Sequence, residues 1–201
     1  QAGALLGGAV GGAGDVNGDG YADLIVGAPN YDCDDDLTYA GTALLFLGSE
    51  SGISDTPDWQ VCGNQADAHL GFAVRGAGDL NGDGLADIAV GVPGYDGAYT
   101  DQGVAQLYYG AFPVPDPVPG WVATQTARGG RFGAAVGSAG DFNDDGFDDL
   151  VVGSPFYLST PDGSAKDEPE AVFIYLGSAS GAHSSYAWRL DATQSTTDFG
   201  A

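Results

Sequence analysis

The chain has 201 residues and carries 28 Asp and Glu against 5 Lys and Arg, a formal net charge of −23. That balance argues against nucleic acid or an anionic membrane surface as partner, and no segment approaches the roughly 18 apolar residues of a membrane-spanning helix. Its 35 glycines recur at fixed places and 43% of residues are hydrophobic, so this is a folded, turn-rich chain rather than a low-complexity one.

In chain order, the first predicted element is an apolar-glycine cassette, Leu6-Gly7-Gly8-Ala9-Val10. Ala13-Gly14 leads from it into Asp15-Val16-Asn17-Gly18-Asp19-Gly20-Tyr21-Ala22-Asp23. A second strand, Leu24 to Val26, closes on Gly27-Ala28-Pro29. A variable acidic loop from Asn30 to Ala40 precedes a third strand, Gly41 to Gly48, and Trp59 opens a fourth that ends at Cys62. The order then repeats. Leu70 to Val74 leads to the loop Asp79–Asp87, to Ile88–Val90 closing on Gly91-Val92-Pro93, to Gly103–Gly110 and to Trp121. A third pass runs from Phe132 to Val136 through the loop Asp141–Asp149, Leu150–Val152 closing on Gly153-Ser154-Pro155, Ala171–Gly177 and Trp188. Each segment has four to eight residues, is rich in β-branched and aromatic side chains and is bounded by Gly or Pro, as strands are. No stretch sustains a helical period.

The three loops start 64 and 62 residues apart and share the pattern Asp-x-Asn-x-Asp-Gly-x-x-Asp. Hard cations such as Ca²⁺ take six to eight oxygen ligands, and alternate positions of a tight loop can supply them. The expected ligands are the side chains of Asp15, Asn17, Asp19 and Asp23; of Asp79, Asn81, Asp83 and Asp87; and of Asp141, Asn143, Asp145 and Asp149. Position 7 (Tyr21, Leu85, Phe147) is apolar and can offer only its backbone carbonyl, while Gly20, Gly84 and Gly146 meet the need for a sharp turn at position 6. An EF-hand would require Glu at position 12 and a helix on each side. Here position 12 is Val26, Val90 or Val152 and strands flank the loop, so position 9 must supply the closing, bidentate carboxylate. Packing these acids without a cation would cost several kcal/mol in repulsion. A metal-free Asx-rich turn is the competing reading. Asp144 and Asp148, at positions 4 and 8, are expected to point outward. The expected cofactor is Ca²⁺ at three sites.

Four short strands per unit of about 60 residues, repeated, is the pattern of β-propeller blades. The predicted fold is therefore all-β, with three four-stranded antiparallel blades over about residues 5–63, 69–123 and 131–191 and the start of another at 198–201. The three tryptophans and the cassette aromatics are the expected material of blade-to-blade contact. Leu/Phe-Gly, an acidic loop and Gly-x-Pro, three times in register, resemble the FG-GAP repeat of integrin alpha-chain β-propellers. Leu at the first signature residue of two copies, and Val92 and Ser154 within Gly-x-Pro, are apolar or small departures. The resemblance implies a seven-bladed ring, so three blades are expected either to belong to a longer chain or to associate with a second copy. Absence of Met, even at position 1, fits a chain that begins inside a longer product or after processing.

The resemblance also implies that ligands bind on the rim opposite the acidic loops, where variable loops on a rigid scaffold carry recognition. Candidate rim residues are Tyr31, Asp34, Asp35, Tyr95, Asp96, Tyr157 and Asp162. The in-register tyrosines are read first as packing residues, and a solvated acidic face is the alternative for the acids. Cys33 and Cys62 map to one blade, which leaves a disulfide and a pair of buried thiols as the two readings. The histidines, His69 and His183, do not recur, and no nucleophile elbow, zinc-type His pair or phosphate loop is present. The expected function is non-catalytic: an extracellular calcium-binding module for adhesion or for recognition of a protein or carbohydrate ligand. The alternatives are an accessory part of a secreted hydrolase or lyase and a structural spacer.

Overall fold

Sequence periodicity alone distinguishes the strands by place. The second strand of each unit is apolar at successive positions, the mark of a strand covered on both faces. The first strand is mostly Ala, Gly and Val, with Arg75 and Ser138 as the exceptions, which suits a crowded inner edge. The computed structural model describes residues 1–33, 37–125, 128–155 and 170–192. These contain twelve strands: β1 (Ala9–Gly14), β2 (Asp23–Ala28), β3 (Thr42–Phe46), β4 (Trp59–Cys62), β5 (Ala73–Gly78), β6 (Asp87–Val92), β7 (Val104–Tyr108), β8 (Trp121–Ala123), β9 (Ala135–Gly140), β10 (Asp149–Ser154), β11 (Ala171–Tyr175) and β12 (Trp188–Asp191).

They pair antiparallel into three sheets of four, β1-β2-β3-β4, β5-β6-β7-β8 and β9-β10-β11-β12. The all-β architecture of successive propeller blades is the one expected. The small first strands β1, β5 and β9 lie side by side, and the three blades leave the ring open. In β6 all six residues are buried. Each first-to-second-strand hairpin shifts register at its loop end, at Gly12/Gly14, Gly76/Gly78 and Asp149/Leu150. These bulges twist the strands out of the sheet and aim the following loop.

The cassettes begin as turns rather than as strands. Gly8, Phe72 and Ala134 N–H groups donate to the carbonyls of Leu5, His69 and Arg131 at 2.8–3.1 Å. Gly7, Gly71 and Gly133 sit inside these turns at φ near +85°, a backbone that Gly adopts without strain. Strand pairing starts two residues later. The turn brings the next blade close: a Cβ on Gly27 or Gly91 would lie only 2.0 or 1.8 Å from the carbonyl oxygen of Gly71 or Gly133. Gly-x-Pro therefore carries Gly because the neighbouring backbone occupies the side-chain space.

Blade stacking is aromatic, as expected. Trp59 of the first blade meets Tyr108 of the second edge-on, ring centroids 5.1 Å apart, and Trp121 meets Tyr175 of the third in the same way at 4.9 Å. The Trp121 indole N–H also donates to the His183 carbonyl at 3.0 Å. Leu70 and Phe132 are buried, and each forms a parallel bridge to the preceding blade through Gly41 or Gly103. At the third blade the aromatic pairing changes, and Trp188 meets Phe142 of its own blade edge-on at 5.0 Å. Trp188 is 43% exposed where Trp59 and Trp121 are 6% and 8%.

In the first blade Cys33 and Cys62 are joined by a disulfide, with Cα atoms 5.8 Å apart. It ties the loop after β2 to the end of β4 across a separation of 29 residues, worth about 3–4 kcal/mol in the chain-entropy model. Two outcomes check this packing. Trp121→Ala should cost about 3–5 kcal/mol in denaturant unfolding, as buried aromatics do, whereas Trp188→Ala should cost less than about 1 kcal/mol. Reduction should lower the melting temperature, and mass spectrometry after alkylation should find both thiols modified only in the reduced sample.

Candidate metal centre

Each acidic loop joins the first and second strands of a blade, and the loops after β2, β6 and β10 leave from the opposite ends of those strands. One hydrogen-bond network recurs in all three, with the position-4 amide bonded to the position-1 carboxylate in the first two. In the first loop Asp15 Oδ1 accepts the Gly18 and Asp19 N–H groups at 2.8 and 3.1 Å, and Oδ2 accepts the Gly20 N–H at 2.9 Å. Asp19 Oδ1 accepts the Tyr21 N–H at 2.9 Å, while the Asn17 side-chain amide donates to Asp19 Oδ2 at 3.0 Å. In the second loop Asp79 gathers the Gly82, Asp83 and Gly84 amides, Asp83 takes the Leu85 N–H, and Asn81 donates to Asp83. In the third, Asp141 takes the Asp145 and Gly146 amides, Asp145 takes the Phe147 N–H, and Asn143 donates to Asp145. Position 4 lies at φ near +70° in Gly18 and Gly82, and Asp144 adopts φ +61° in the third loop. Asp is one of the few side chains that tolerate this left-handed region.

Position 9 is different in kind. Asp23, Asp87 and Asp149 are 3%, 0% and 0% exposed. One carboxylate oxygen of each accepts an N–H from the head of its own loop, Val16, Leu80 or Phe142, at 2.8–2.9 Å. The other accepts the N–H of Gly48, Gly110 or Gly177, just past the third strand, at 2.8–2.9 Å. Burial pushes the Asp87 carboxyl up to about 7, against the lowering effect of its Gly110 and Leu80 bonds, and the charges of Asp83 and Asp79 push the same way. Asp23 is raised for the same reasons, burial first, with Asp19 and Asp15 as the repelling neighbours. The glycines that close the third strand belong to this centre. Their recurrence at the end of every third strand is the signal that could have marked them from sequence.

Among the described residues no three His, Cys, Asp or Glu side chains already stand together as a metal-holding group, since the loop acids are turned onto the loop's own amides. The chemistry of the donor set nevertheless fits a hard dication. Each loop offers three carboxylates, an amide oxygen and a position-7 carbonyl, every one an oxygen ligand. In the first two loops the buried position-9 acids, Asp23 and Asp87, are each crowded by two like charges, and positive charge relieves that crowding.

The loops also touch one another. The N–H of Ala86 donates to the Asp15 carbonyl at 2.9 Å and that of Asp148 to the Asp79 carbonyl at 3.1 Å. Position-7 side chains reach back over the previous loop: a Cβ on Gly18 or Gly82 would meet Leu85 at 2.8 Å or Phe147 at 2.5 Å. Asp148 does not point outward as the loop spacing implies. Its Oδ2 accepts the Asp79 N–H at 2.8 Å, because adjacent blades bring position 8 of one loop against position 1 of the loop before it.

On the opposite rim, Tyr31 and Tyr95 are half-buried, and their carbonyls accept the Gly41 and Gly103 N–H groups at 2.9 Å. Asp96 closes its own loop by accepting the Asp101 N–H at 2.8 Å, and its backbone is clamped by the Gln65 side chain. In the first blade Gln1 makes a related clamp on Asp32, accepting its backbone N–H but donating to its carboxylate Oδ2, and Asp32 likewise accepts a loop amide, that of Tyr39. These paired clamps were not read from the sequence, although Gln and Asp keep the 64-residue period. Asp34, Asp35, Tyr157 and Asp162 lie outside the described residues.

A model of the FG-GAP repeat matches residues 7–46, 72–108 and 132–172, one match to each sheet. Integrin alpha-IIb of Mus musculus is 38% identical over 145 residues, covering 70% of this chain and 14% of its own length. Integrin alpha-PS5 of Drosophila melanogaster is 36% identical over 133 residues, 65% of this chain and 12% of its own. Integrin alpha-8 of Mus musculus is 30% identical over 179 residues, 86% of this chain and 15% of its own. The chain thus spans about a seventh of the length of these curated relatives. With its three matched repeats each carried by one four-stranded sheet, the chain belongs to the FG-GAP repeat family as an integrin alpha-like module.

Proposed function

We propose that each loop holds one Ca²⁺ and that the three ions stiffen an extracellular module which recognises a protein or carbohydrate ligand through the rim opposite them. The observation that carries the calcium reading is the buried position-9 carboxylate, three times repeated and each time part of an all-oxygen donor set. Asp15, Asn17, Asp19, the Tyr21 carbonyl and Asp23 would hold the first ion. Asp79, Asn81, Asp83, the Leu85 carbonyl and Asp87 would hold the second, and Asp141, Asn143, Asp145, the Phe147 carbonyl and Asp149 the third. Bound there, the ion supplies the positive charge that lets three acids share one turn. The chain's own contribution is to pin each turn at both ends: position 1 holds the loop amides, and position 9 ties the loop to the glycine after the third strand.

A rigid turn array at one end leaves the loops after β2, β6 and β10 as the variable surface, which supports recognition there. Kinship with integrin alpha chains supports an adhesive and non-catalytic role on the cell surface, and the disulfide suits an oxidising compartment. We assign the blades to about residues 5–63, 69–123 and 131–191, a division that the three four-stranded sheets support. The exposed Trp188 face supports docking of a further blade, supplied by a longer parent chain or by a second copy.

Asp83→Ala should lower the melting temperature in millimolar Ca²⁺, by about 2–4 °C for each kcal/mol of binding lost, and the deficit should vanish in excess chelator. An unchanged melting temperature in Ca²⁺ would sink the calcium reading of the second loop. Light scattering should report twice the 20.2 kDa protomer mass in Ca²⁺ and the single mass in chelator. A single mass in both buffers would mean that the three blades stand alone and would count against a structural role for the loops.

A further inference from the structure

Asp148 occupies position 8 of the third loop, yet its partners lie in the second. Its Oδ2 accepts the Asp79 N–H at 2.8 Å, and its own N–H donates to the Asp79 carbonyl at 3.1 Å. The backbone of the residue that opens the second loop is therefore gripped on both sides by one residue of the next blade. Asp79 is also the residue whose carboxylate gathers the Gly82, Asp83 and Gly84 amides. Fixing its backbone fixes the head of the oxygen set. The Ser178 N–H of the third blade donates to the Leu80 carbonyl at 2.9 Å, so the following residue is held from the same side. The approach depends on Gly78: at φ +86°, a Cβ there would lie 2.1 Å from Asp148 Oδ2.

The first loop provides an internal comparison. Ala86 stands at its neighbour's position 8, its N–H donating to the Asp15 carbonyl at 2.9 Å. Its methyl group faces Gly14, where a Cβ would lie 2.5 Å away. The backbone half of the clasp is kept, and Ala86 has no carboxylate to supply the other half. The carboxylate clasp is thus specific to the junction of the second and third blades.

We propose that Asp148 is a positioning residue for the cation site of the second loop, supplied across the blade boundary by the third blade. Groups that orient ligands without touching the ion typically change metal affinity by roughly 10–100-fold. Filling the second loop and seating the third blade then favour one another, because both use the Asp79 backbone.

The proposal rests on the calcium reading of the loops, and the test separates the two. The position-6 amides of Gly20, Gly84 and Gly146 each donate to the position-1 carboxylate of their own loop, so a Ca²⁺ titration followed at these three resonances reads each loop alone. In Asp148→Ala the midpoint at Gly84 should rise roughly tenfold, with smaller changes at Gly20 and Gly146. Asp148→Asn, which keeps an oxygen acceptor for the Asp79 N–H, should restore most of that loss and covers the case in which the alanine variant fails to fold. If none of the three amides responds to Ca²⁺ in the unmodified protein, the calcium reading fails and this proposal falls with it. If all three respond and Gly84 is unmoved in Asp148→Ala, only the positioning role is overturned. A larger change at Gly146 than at Gly84 overturns it as well, since Asp148 would then serve its own loop. Equal loss in the asparagine and alanine variants also overturns it, because charge and not the hydrogen bond would be responsible.

Discussion

A buried carboxylate at Asp23, Asp87 and Asp149 is the constraint on which the rest of each blade depends. It sits at the first residue of the second strand and holds two backbone N–H groups from segments far apart in sequence. One belongs to the head of the loop and the other to the turn that follows the third strand. Burying a carboxylate costs several kcal/mol, while two N–H bonds to a charged acceptor return about 1.5–3 kcal/mol each. The sum lies close to balance, and the upward displacement of the Asp87 carboxyl shows burial ahead of its bonds. Positive charge in the loop would move that balance decisively, which is why the fold of the blade and the chemistry of its loop are difficult to separate.

Stacking follows from the opposite kind of chemistry. The inner strands β1, β5 and β9 are mostly Ala, Gly and Val where they crowd against one another, branched aliphatic side chains enter at the second strands, and the large aromatics lie on the third and fourth. There Trp59 and Trp121 reach across to Tyr108 and Tyr175. The glycines of Gly-x-Pro mark where the next blade's backbone approaches within van der Waals distance. Close backbone approach near the axis and aromatic edge contact farther out hold one blade to the next. The loop ends add a third line of contact through Asp15, Ala86, Asp79 and Asp148.

Much of this was legible in the chain itself. A 64-residue period, four strand-like segments per period and the pattern Asp-x-Asn-x-Asp-Gly-x-x-Asp are local signals, each confined to a few consecutive residues. They led to an all-β propeller segment, to the four strands of each blade and to the loop between the first two. The opening residues of the cassettes were less legible. Leu6-Gly7, Leu70-Gly71 and Phe132-Gly133 read as strand because they are apolar, but Gly at positive φ makes them turns. Hydropathy does not register the sign of φ.

The sequence by itself determined the repeat, the strand order and the residues of the acidic loops, because periodicity and turn chemistry are written in neighbouring positions. Only the tertiary structure decided what those residues face. It turned position 9 inward onto a glycine some 25 residues away, tied the exposed Asp96 to the Asp101 amide of its own loop, and swung Asp148 onto the loop of the preceding blade. In each case the partner lies across a strand, a long loop or a blade boundary. Spacing along one loop carries no information about a neighbour placed beside it by the stacking of separate sheets.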